Sequence, residues 1–288
     1  MIKPGDFVKF EKIISNSFKY PFKDLKNLGF VCLLFVLLLV LPVGIFINNS
    51  ITMGIGAVCL LIFFLITPGY QILVIKSGVN QSDNIPSIKV GRSIINTFKL
   101  LILHICYVAI PSIIAVVLLL FATGLLNYPM AIFESISNSN SHFTFDLISG
   151  FFNAIWITLT VTAIVRLIFS LISYIAKARL ANSNSLVEAL KIHKVISDIK
   201  KIGFLKFIGW CIVIGILLAI IAMVAMFIVF VPYVGFIIYS CVVVPIIYLI
   251  YNYSLGLLYS DFSQDDENDN DLDKFERELQ YLKYGLVH

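Results

Sequence analysis

The chain has 288 residues, of which 59% are hydrophobic and 13% are charged, and its mean hydropathy is +0.96. A soluble domain is about 25% charged and 45–50% apolar. This composition therefore excludes a water-soluble fold and predicts a membrane protein, because a bilayer solvates apolar surface. The formal net charge is +4, but basic residues predominate before Ser260 and the acidic run DDENDNDLD follows it.

The first 27 residues form a basic segment, which we expect to be cytoplasmic and amphipathic. The apolar run that follows is too long for a signal peptide, and no small-residue cleavage site comes after it. We expect the break between this segment and the first span at Lys19–Phe22, because Pro21 disfavours helical conformation in the residue before it. Tyr20 and Phe22 are residue types that suit the headgroup layer of a membrane.

The membrane domain is predicted to cover residues 28–258 and to contain six spans. About twenty residues at about 1.5 Å each cross the hydrocarbon core as a helix. Continuous apolar runs, rather than alternating ones, argue against β-barrel strands. The predicted fold is therefore an all-α bundle of six transmembrane helices. The expected spans are about 28–47, 51–75, 100–126, 147–176, 207–231 and 234–258.

The connections between these spans differ in length and in charge. Asn48–Ser50 and Pro232-Tyr233 predict tight helical hairpins, whereas 127–146 predicts a longer polar loop. These three connections contain no Lys or Arg, and the loops on the other side contain many. The positive-inside rule then places both termini in the cytoplasm. We expect a multi-pass protein of the cell membrane.

A capping box is predicted at the fourth-to-fifth connection, where Ser185 precedes Glu188 by three residues. The helix that it begins carries apolar residues at helical spacing on one face and lysines on the other. This pattern fits a helix on the anionic inner leaflet or one packed on other cytoplasmic parts of the chain. The candidate lipid-headgroup contacts are Arg166, Lys177, Arg179, Lys191, Lys194, Lys200 and Lys201.

Arg166 is the one charge inside the six predicted spans. A charge at the bilayer centre costs about 2.5–3.5 kcal/mol on insertion scales. We expect Arg166 to lie near the inner interface and to extend its guanidinium toward the headgroups, with residues 167–176 continuing as an interfacial extension. An anion or lipid-headgroup site is the alternative.

His104, Asn153 and Asn252 form a possible intramembrane polar site. Such residues act as relays or ligands in some proteins and hold helices together in others. The spans contain no Asp or Glu, and the chain has no HExxH, GxSxG or P-loop motif. The five cysteines all lie in apolar runs without a CxxC pair, so they support neither disulfides nor zinc sites. We predict no catalytic residue, no cofactor and no metal in the membrane domain.

The tail, residues 259–288, is predicted to be an acidic linker followed by a short amphipathic helix. Residues 265–276 place oxygen ligands at spacings close to those of an EF-hand loop, but Asn270 replaces its glycine. The two interpretations are a solvated linker and a calcium loop. Apolar residues at helical spacing predict the helix beyond it: Leu272, Phe275, Leu279, Leu282 and Leu286.

Three segments of the chain resemble one family. They are ISNSFKYPFKDLKNL before the first span, PGYQILVIKSGVNQSDNIPSI after the second, and YIAKARLANSNSLVEAL with KKIGFLKF between the fourth and fifth. They are similar to domain of unknown function 4013, a family of prokaryotic, mainly archaeal, multi-pass membrane proteins. Lys89 and Arg92 depart from the acidic and tryptophan residues expected there. The resemblance implies an integral membrane protein and no particular activity.

We therefore expect a non-enzymatic membrane protein that acts as a scaffold for a protein partner or for lipid at the inner leaflet. The expected partners are anionic membrane lipids, and the basic charge, which topology explains, does not indicate nucleic-acid binding. The alternative is a small-solute permease or channel that uses spans interrupted by Pro and Gly. The sequence leaves the oligomeric state and the identity of any protein partner open.

Overall fold

A computed structural model of the chain describes residues 4–137, 141–231 and 234–261. Every regular element in this part of the chain is a helix, which confirms the predicted all-α fold. Helices satisfy each backbone polar group within their own segment, as lipid requires. The helices are α1 Pro4–Lys23, α2 Leu25–Phe46, α3 Ser50–Val79, α4 Val90–His104, α5 Ile110–Ala122, α6 Tyr128–Ser137, α7 Ser141–Ser183, α8 Leu186–Leu190, α9 Ile192–Ile202, α10 Phe204–Val229, α11 Val234–Ile238 and α12 244–261.

Six helical stretches within the described residues are long and apolar enough to cross a membrane, which confirms the six predicted spans. Two of them contain a π-helical turn: Ile105–Ala109 lies between α4 and α5, and Tyr239–Val243 lies between α11 and α12. The chain is a multi-pass membrane protein. Its spans are Leu25–Phe46, Ser50–Val79, Val90–Ala122, Phe145–Ser183, Phe204–Val229 and Val234–Asp261.

The chain divides into two compact units. The first contains the described residues of Met1–Leu100 and Lys177–His288, and the second is Leu101–Ala176. The division falls inside α4 and inside α7, so each of these two helices contributes to both units.

In the first unit, α3 packs closely on α2 and on α12. Asn49 caps α3 by accepting hydrogen bonds from the backbone N–H groups of Ile51 and Thr52, which confirms the tight hairpin predicted between the first two spans. Gly78 of α3 and Gly256 of α12 face each other so closely that a Cβ on either would overlap backbone atoms of the other helix. Small residues permit this approach, which suits helices in lipid.

Aromatic rings extend the same core to α1 and α2. The rings of Tyr20 in α1 and Tyr253 in α12 stack at 3.8 Å between centroids, and Tyr20 is fully buried. Phe35 of α2 makes edge contacts with Phe63 of α3 and Tyr248 of α12 at 5.1 and 5.7 Å. The segment before the first span is therefore part of the packed core of this unit.

The second unit consists of the end of α4, the π-helical turn, α5, α6 and most of α7. The ring of Tyr128 in α6 lies 6.0 Å from that of Phe151 in α7. In the most apolar stretch of the α7 span only 6% of the residues are buried, and α5 contributes no buried residue. Most side chains of this unit therefore face outward, as expected where lipid is the solvent.

The break after the N-terminal segment is not where the sequence predicts it. We expected it at Lys19–Phe22, but α1 continues through Pro21 and ends at Lys23. The break is at Asp24, whose side chain accepts a hydrogen bond from the Asn27 N–H and so caps α2. Pro21 removes one backbone N–H from the last turn of α1 but does not end the helix there, and the Asp24 side chain marks the start of α2.

The polar connection between the third and fourth spans is also more helical than predicted. We expected a loop over 127–146, but α6 occupies Tyr128–Ser137 and α7 begins at Ser141. α7 then runs for 43 residues to Ser183 without interruption. The polar composition of this segment reflects its exposure rather than an irregular backbone, because helix formation needs only a modest apolar stripe.

The single helix predicted from Ser185 to Ile202 is two helices. Ser185 caps α8 by accepting from the Glu188 N–H at 3.4 Å, as predicted. The backbone leaves the helical region at Lys191, where ψ is 89°, and α9 begins at Ile192. The turn predicted at Pro232-Tyr233, the calcium loop at 265–276 and the C-terminal helix lie outside the described residues.

Candidate functional site

A group of ion pairs joins the end of α7 to α9. The Arg179 guanidinium donates from Nη1 to Asp198 Oδ2 at 2.6 Å and from Nε to the Glu188 carbonyl oxygen at 3.1 Å. Nη2 lies 3.4 Å from Glu188 Oε2. Asp198 is buried in α9, so the guanidinium compensates a carboxylate that water scarcely reaches.

The same carboxylates connect to α12 and to two lysines. The Tyr259 hydroxyl donates to Asp198 Oδ2 at 3.1 Å, which brings the end of α12 to this group. Lys191 and Lys194 pair with Glu188 at 2.6 and 2.8 Å, and these ammonium groups lower the pKa of Glu188 to about 2. We call Arg179, Glu188, Asp198 and Tyr259, with these two lysines, the ion-pair cluster.

The Glu188 side chain does not complete the capping box. A capping box requires that Glu188 accept from the Ser185 N–H, but that N–H donates to Ser183 Oγ at 3.2 Å. The carboxylate is instead held by its three cationic partners. Charged donors make stronger hydrogen bonds to a carboxylate than a backbone amide does, so the competition favours the cluster.

A second polar contact region joins α1 and α2 to the segment that follows α3. Asn27 donates its side-chain amide to Asp24 at 2.7 Å and to the Ile85 carbonyl at 3.0 Å. The hydrogen bonds from Asn27 lower the pKa of Asp24. Lys23 pairs with Asp83 at 2.5 Å on the surface. These contacts fix the connection between the second and third spans against the start of the first.

The predicted lipid contacts divide by their surroundings. Arg179, Lys191 and Lys194 are brought together in the ion-pair cluster, and Lys177 of α7 is only partly exposed. Lys200 and Lys201 are exposed at the end of α9, and Arg166 is exposed on α7. Lipid contact stays a prediction for all seven residues.

Lys200 and Lys201 are close in sequence to exposed apolar side chains. Ile196 of α9 is 38% exposed, and Phe204 and Leu205 at the start of α10 are both 64% exposed. We call these five residues the α9–α10 patch. Cations next to large apolar side chains at the entrance to a span are typical of the lipid–water interface.

The predicted intramembrane polar residues are distributed over both units. His104 and Asn153 are exposed residues of the second unit. Asn252 belongs to the first unit and is 1% exposed. Its amide donates to the Tyr248 carbonyl at 2.7 Å, while its Oδ1 has no partner among the described residues.

The helix α3 continues through Pro68 and receives a side chain from α4 at this point. The Thr97 hydroxyl of α4 donates to the Leu65 carbonyl at 2.7 Å and accepts from the Gly69 N–H at 2.8 Å. This hydroxyl therefore contacts the backbone of α3 on both sides of Pro68. Proline removes one backbone donor from a helix, which leaves a carbonyl there available to neighbouring groups.

The two π-helical turns also precede prolines. Ile105–Ala109 lies just before Pro111, and Tyr239–Val243 lies just before Pro245. A proline ring clashes with the carbonyl four residues before it, and one extra residue in the turn relieves that clash. The third and sixth spans therefore each contain a π-helical turn next to a proline.

The comparisons with known proteins identify one family. The family described as "Protein of unknown function (DUF4013)" matches residues 52–230, which is more than half of the chain. The chain belongs to the DUF4013 family. No curated protein and no solved structure shows a significant match.

The matched region of this DUF4013 protein contains most of the features described above. It includes Pro68, the contact from Thr97 and the Arg179–Asp198 pair. Tyr259 and the stacked Tyr20–Tyr253 pair lie outside the match. The family resemblance noted from the sequence is confirmed from the second span to the end of the fifth, and the stretch ISNSFKYPFKDLKNL before the first span lies outside the match.

Sequence reasoning did not identify Asp198, Tyr259 or Thr97. Asp198 carried a usable signal, because Val195, Asp198 and Ile202 recur at helical spacing and all three are buried. A carboxylate on the apolar face of a helix predicts a buried cationic partner. Thr97 and Tyr259 are ordinary in type and position, and only their contacts single them out.

Proposed function

We propose that this protein is a non-enzymatic scaffold of the cell membrane that binds anionic lipid at the cytoplasmic leaflet through the α9–α10 patch. The observation that supports this most directly is the exposure of Lys200 and Lys201 together with that of Phe204 and Leu205, which follow them closely in the sequence. Each Lys near an anionic surface contributes about 1 kcal/mol. Lipid binding at the patch holds α9 and the start of α10 at the membrane surface, where a protein partner can contact them. This role requires no catalytic activity.

The ion-pair cluster supports the same proposal in a different way. Arg179, Lys191 and Lys194 are held by carboxylates, so they contribute rigidity rather than free charge. The cluster ties α7, α9 and α12 together next to the patch. A lipid or partner would therefore meet a surface that is already ordered, which lowers the entropic cost of binding.

Lipid composition tests the proposal. The protein is reconstituted into nanodiscs of phosphatidylcholine with a minority of phosphatidylglycerol, and the bound lipid is quantified by mass spectrometry. We expect phosphatidylglycerol to be enriched and K200Q/K201Q to reduce that enrichment by about fivefold for each Lys removed. K200R/K201R keeps the charge and is expected to behave like the parent. Equal lipid ratios in parent and K200Q/K201Q would refute lipid binding at the patch.

The proposed orientation has its own test. In a cysteine-free background, S139C in the connection between the third and fourth spans is expected to react with an impermeant maleimide added to intact cells. S183C, at the end of α7, is expected to react only after permeabilisation. The positive-inside rule is the basis for this expectation. The opposite pattern would show that the termini lie outside.

A small-solute permease or channel is the second candidate. It is favoured by the Thr97 hydroxyl, which contacts two backbone groups of α3 beside Pro68, and by the π-helical turns in the third and sixth spans. Irregular helices of this kind occur at transport sites. Proteoliposomes exposed to glycerol or urea gradients in stopped-flow light scattering distinguish the two candidates. Solute flux above that of protein-free vesicles, reduced by T97V, would favour transport over the scaffold.

A further inference from the structure

The described chain ends at an ion pair beside the α9–α10 patch. Asp261, the last described residue of α12, pairs with Lys206 of α10 at 2.5 Å, and both side chains are about one-fifth exposed. Lys206 is in the first turn of α10, directly after Phe204 and Leu205 of the patch. The point from which the tail continues is therefore fixed next to the patch.

The tail carries charge of the opposite sign close to this point. Residues 265–273 include six acidic residues and no basic one. The first of them, Asp265, is four residues beyond Asp261, and a chain extends by at most about 3.6 Å per residue, or about 14 Å in all. Lys201 is five residues before Lys206 along the chain and so at most about 18 Å from it, whereas the run ends at Asp273, which can lie up to about 43 Å from Asp261. The acidic run is thus tethered within reach of Lys200 and Lys201.

We propose that the acidic segment 265–273 docks on the α9–α10 patch and competes there with anionic lipid. This inference rests on the proposed lipid binding of the patch. Phosphate headgroups and carboxylates both neutralise lysines, so the two occupants exclude each other. The tether supplies the carboxylates at an effective concentration in the millimolar range, which lipid must exceed locally to displace them.

The balance between the two occupants follows from the strength of exposed ion pairs. A single surface pair contributes about 0–1 kcal/mol, so tail docking through two lysines is weak and reversible. A membrane rich in anionic lipid displaces the tail, and a membrane poor in it leaves the tail docked. Both contacts weaken at high salt, because the Debye length falls from about 10 Å at 0.1 M to about 3 Å at 1 M. The tail thereby sets the lipid composition at which the patch engages the bilayer.

The test uses the full chain and a tail in which only charge is removed. This variant carries D265N, D266N, E267Q, D269N, D271N and D273N. N268Q/N270Q is the matched control, because it alters the same segment without changing its charge. All three proteins are reconstituted into the phosphatidylcholine–phosphatidylglycerol nanodiscs described above. Zero-length carbodiimide coupling, read by peptide mass spectrometry, reports carboxylates that contact Lys200 or Lys201.

We expect coupling between the tail and these lysines in the parent and in N268Q/N270Q, mainly at low phosphatidylglycerol. The neutralised tail is expected to raise phosphatidylglycerol enrichment by about fivefold, the factor that two surface ion pairs supply. If all three proteins enrich the lipid equally and no coupling is found, the docking is refuted while lipid binding stands. If none of the three proteins enriches phosphatidylglycerol but coupling occurs, the proposed lipid binding and the competition with lipid are both refuted. Only the contact between the tail and the lysines then remains supported.

Discussion

Replacing Asp198 with asparagine removes the charge that balances Arg179 and changes the shape of the side chain very little. Asp198 Oδ2 accepts from Arg179 Nη1 at 2.6 Å and from the Tyr259 hydroxyl at 3.1 Å. The side chains of Arg179 and Asp198 are 17% and 8% exposed. In D198N the guanidinium stays largely out of water and loses its buried charged partner, while its contacts with Glu188 remain and the Asn oxygen can offer only a neutral acceptor.

The expected loss of stability in D198N follows from the small exposure of both side chains. Removing one partner of a buried ion pair costs about 3–5 kcal/mol, because the other charge is left without compensation. Arg179 retains two contacts with Glu188, so we expect the lower end, about 3 kcal/mol. On the scaling for domains of about 150–250 residues, this lowers the midpoint of thermal unfolding by about 6–12 °C.

The assay is thermal unfolding of the detergent-solubilised protein, followed by the fluorescence of Trp210. Its ring lies 6.0 Å from that of Tyr251 in α12, so it reports on the contact between α10 and α12. The exposed Trp156 is replaced by phenylalanine in every variant to remove its signal. D83N is the matched control, because the Lys23–Asp83 pair is exposed and contributes about 0–1 kcal/mol.

Equal unfolding midpoints for D198N and D83N would refute the reasoning. The reasoning also predicts that R179M/D198L, which removes both charges, is less destabilised than D198N alone. Replacing a buried pair with apolar residues of similar volume is often neutral. A double variant as unstable as D198N would mean that the cost comes from shape rather than from the unpaired charge.

Three further changes test other parts of the packing. G256A places a Cβ against the backbone of α3 and should cost about 1–3 kcal/mol by the same melting assay, whereas G29A, which has open space around it, should not destabilise. T97V removes the hydroxyl that bridges two backbone groups of α3 and should cost about 1–3 kcal/mol, with T97S close to the parent. The lowered pKa of Glu188 means that its stabilisation is present above pH 4.5 and is lost as the pH falls toward about 2. E188Q should therefore flatten the dependence of the unfolding midpoint on pH in that interval, and an unchanged profile would contradict the assigned pairing.

The positions of the spans and of two caps follow from the sequence alone. Apolar runs of about twenty residues leave no alternative to membrane helices, since the backbone must be satisfied internally. Asn49 and Ser185 were expected at helix boundaries and cap α3 and α8. These properties are local, because each depends on composition or on hydrogen bonds between residues two or three positions apart.

Local rules misplaced boundaries where two of them competed. Pro21 suggested a break that Asp24 provides instead, and the predicted helix from Ser185 is divided at Lys191. The polarity of 127–146 suggested a loop, although α6 occupies much of it. In each case the chain offers more than one acceptable local structure, and the surrounding contacts select among them.

Which polar residues act together was decided only by the tertiary structure. Arg179 and Asp198 are 19 residues apart in the sequence, and Asp198 and Tyr259 are 61 residues apart. The Tyr248 hydroxyl donates to the Thr67 carbonyl, which is 181 residues away. The basic pattern of this region predicted lipid contacts but did not show that Arg179, Lys191 and Lys194 are held by Glu188 and Asp198. The charge and hydropathy of each segment can be read directly from the amino-acid sequence. The pairing of buried charges depends on which helix faces are packed together, and the sequence does not show this.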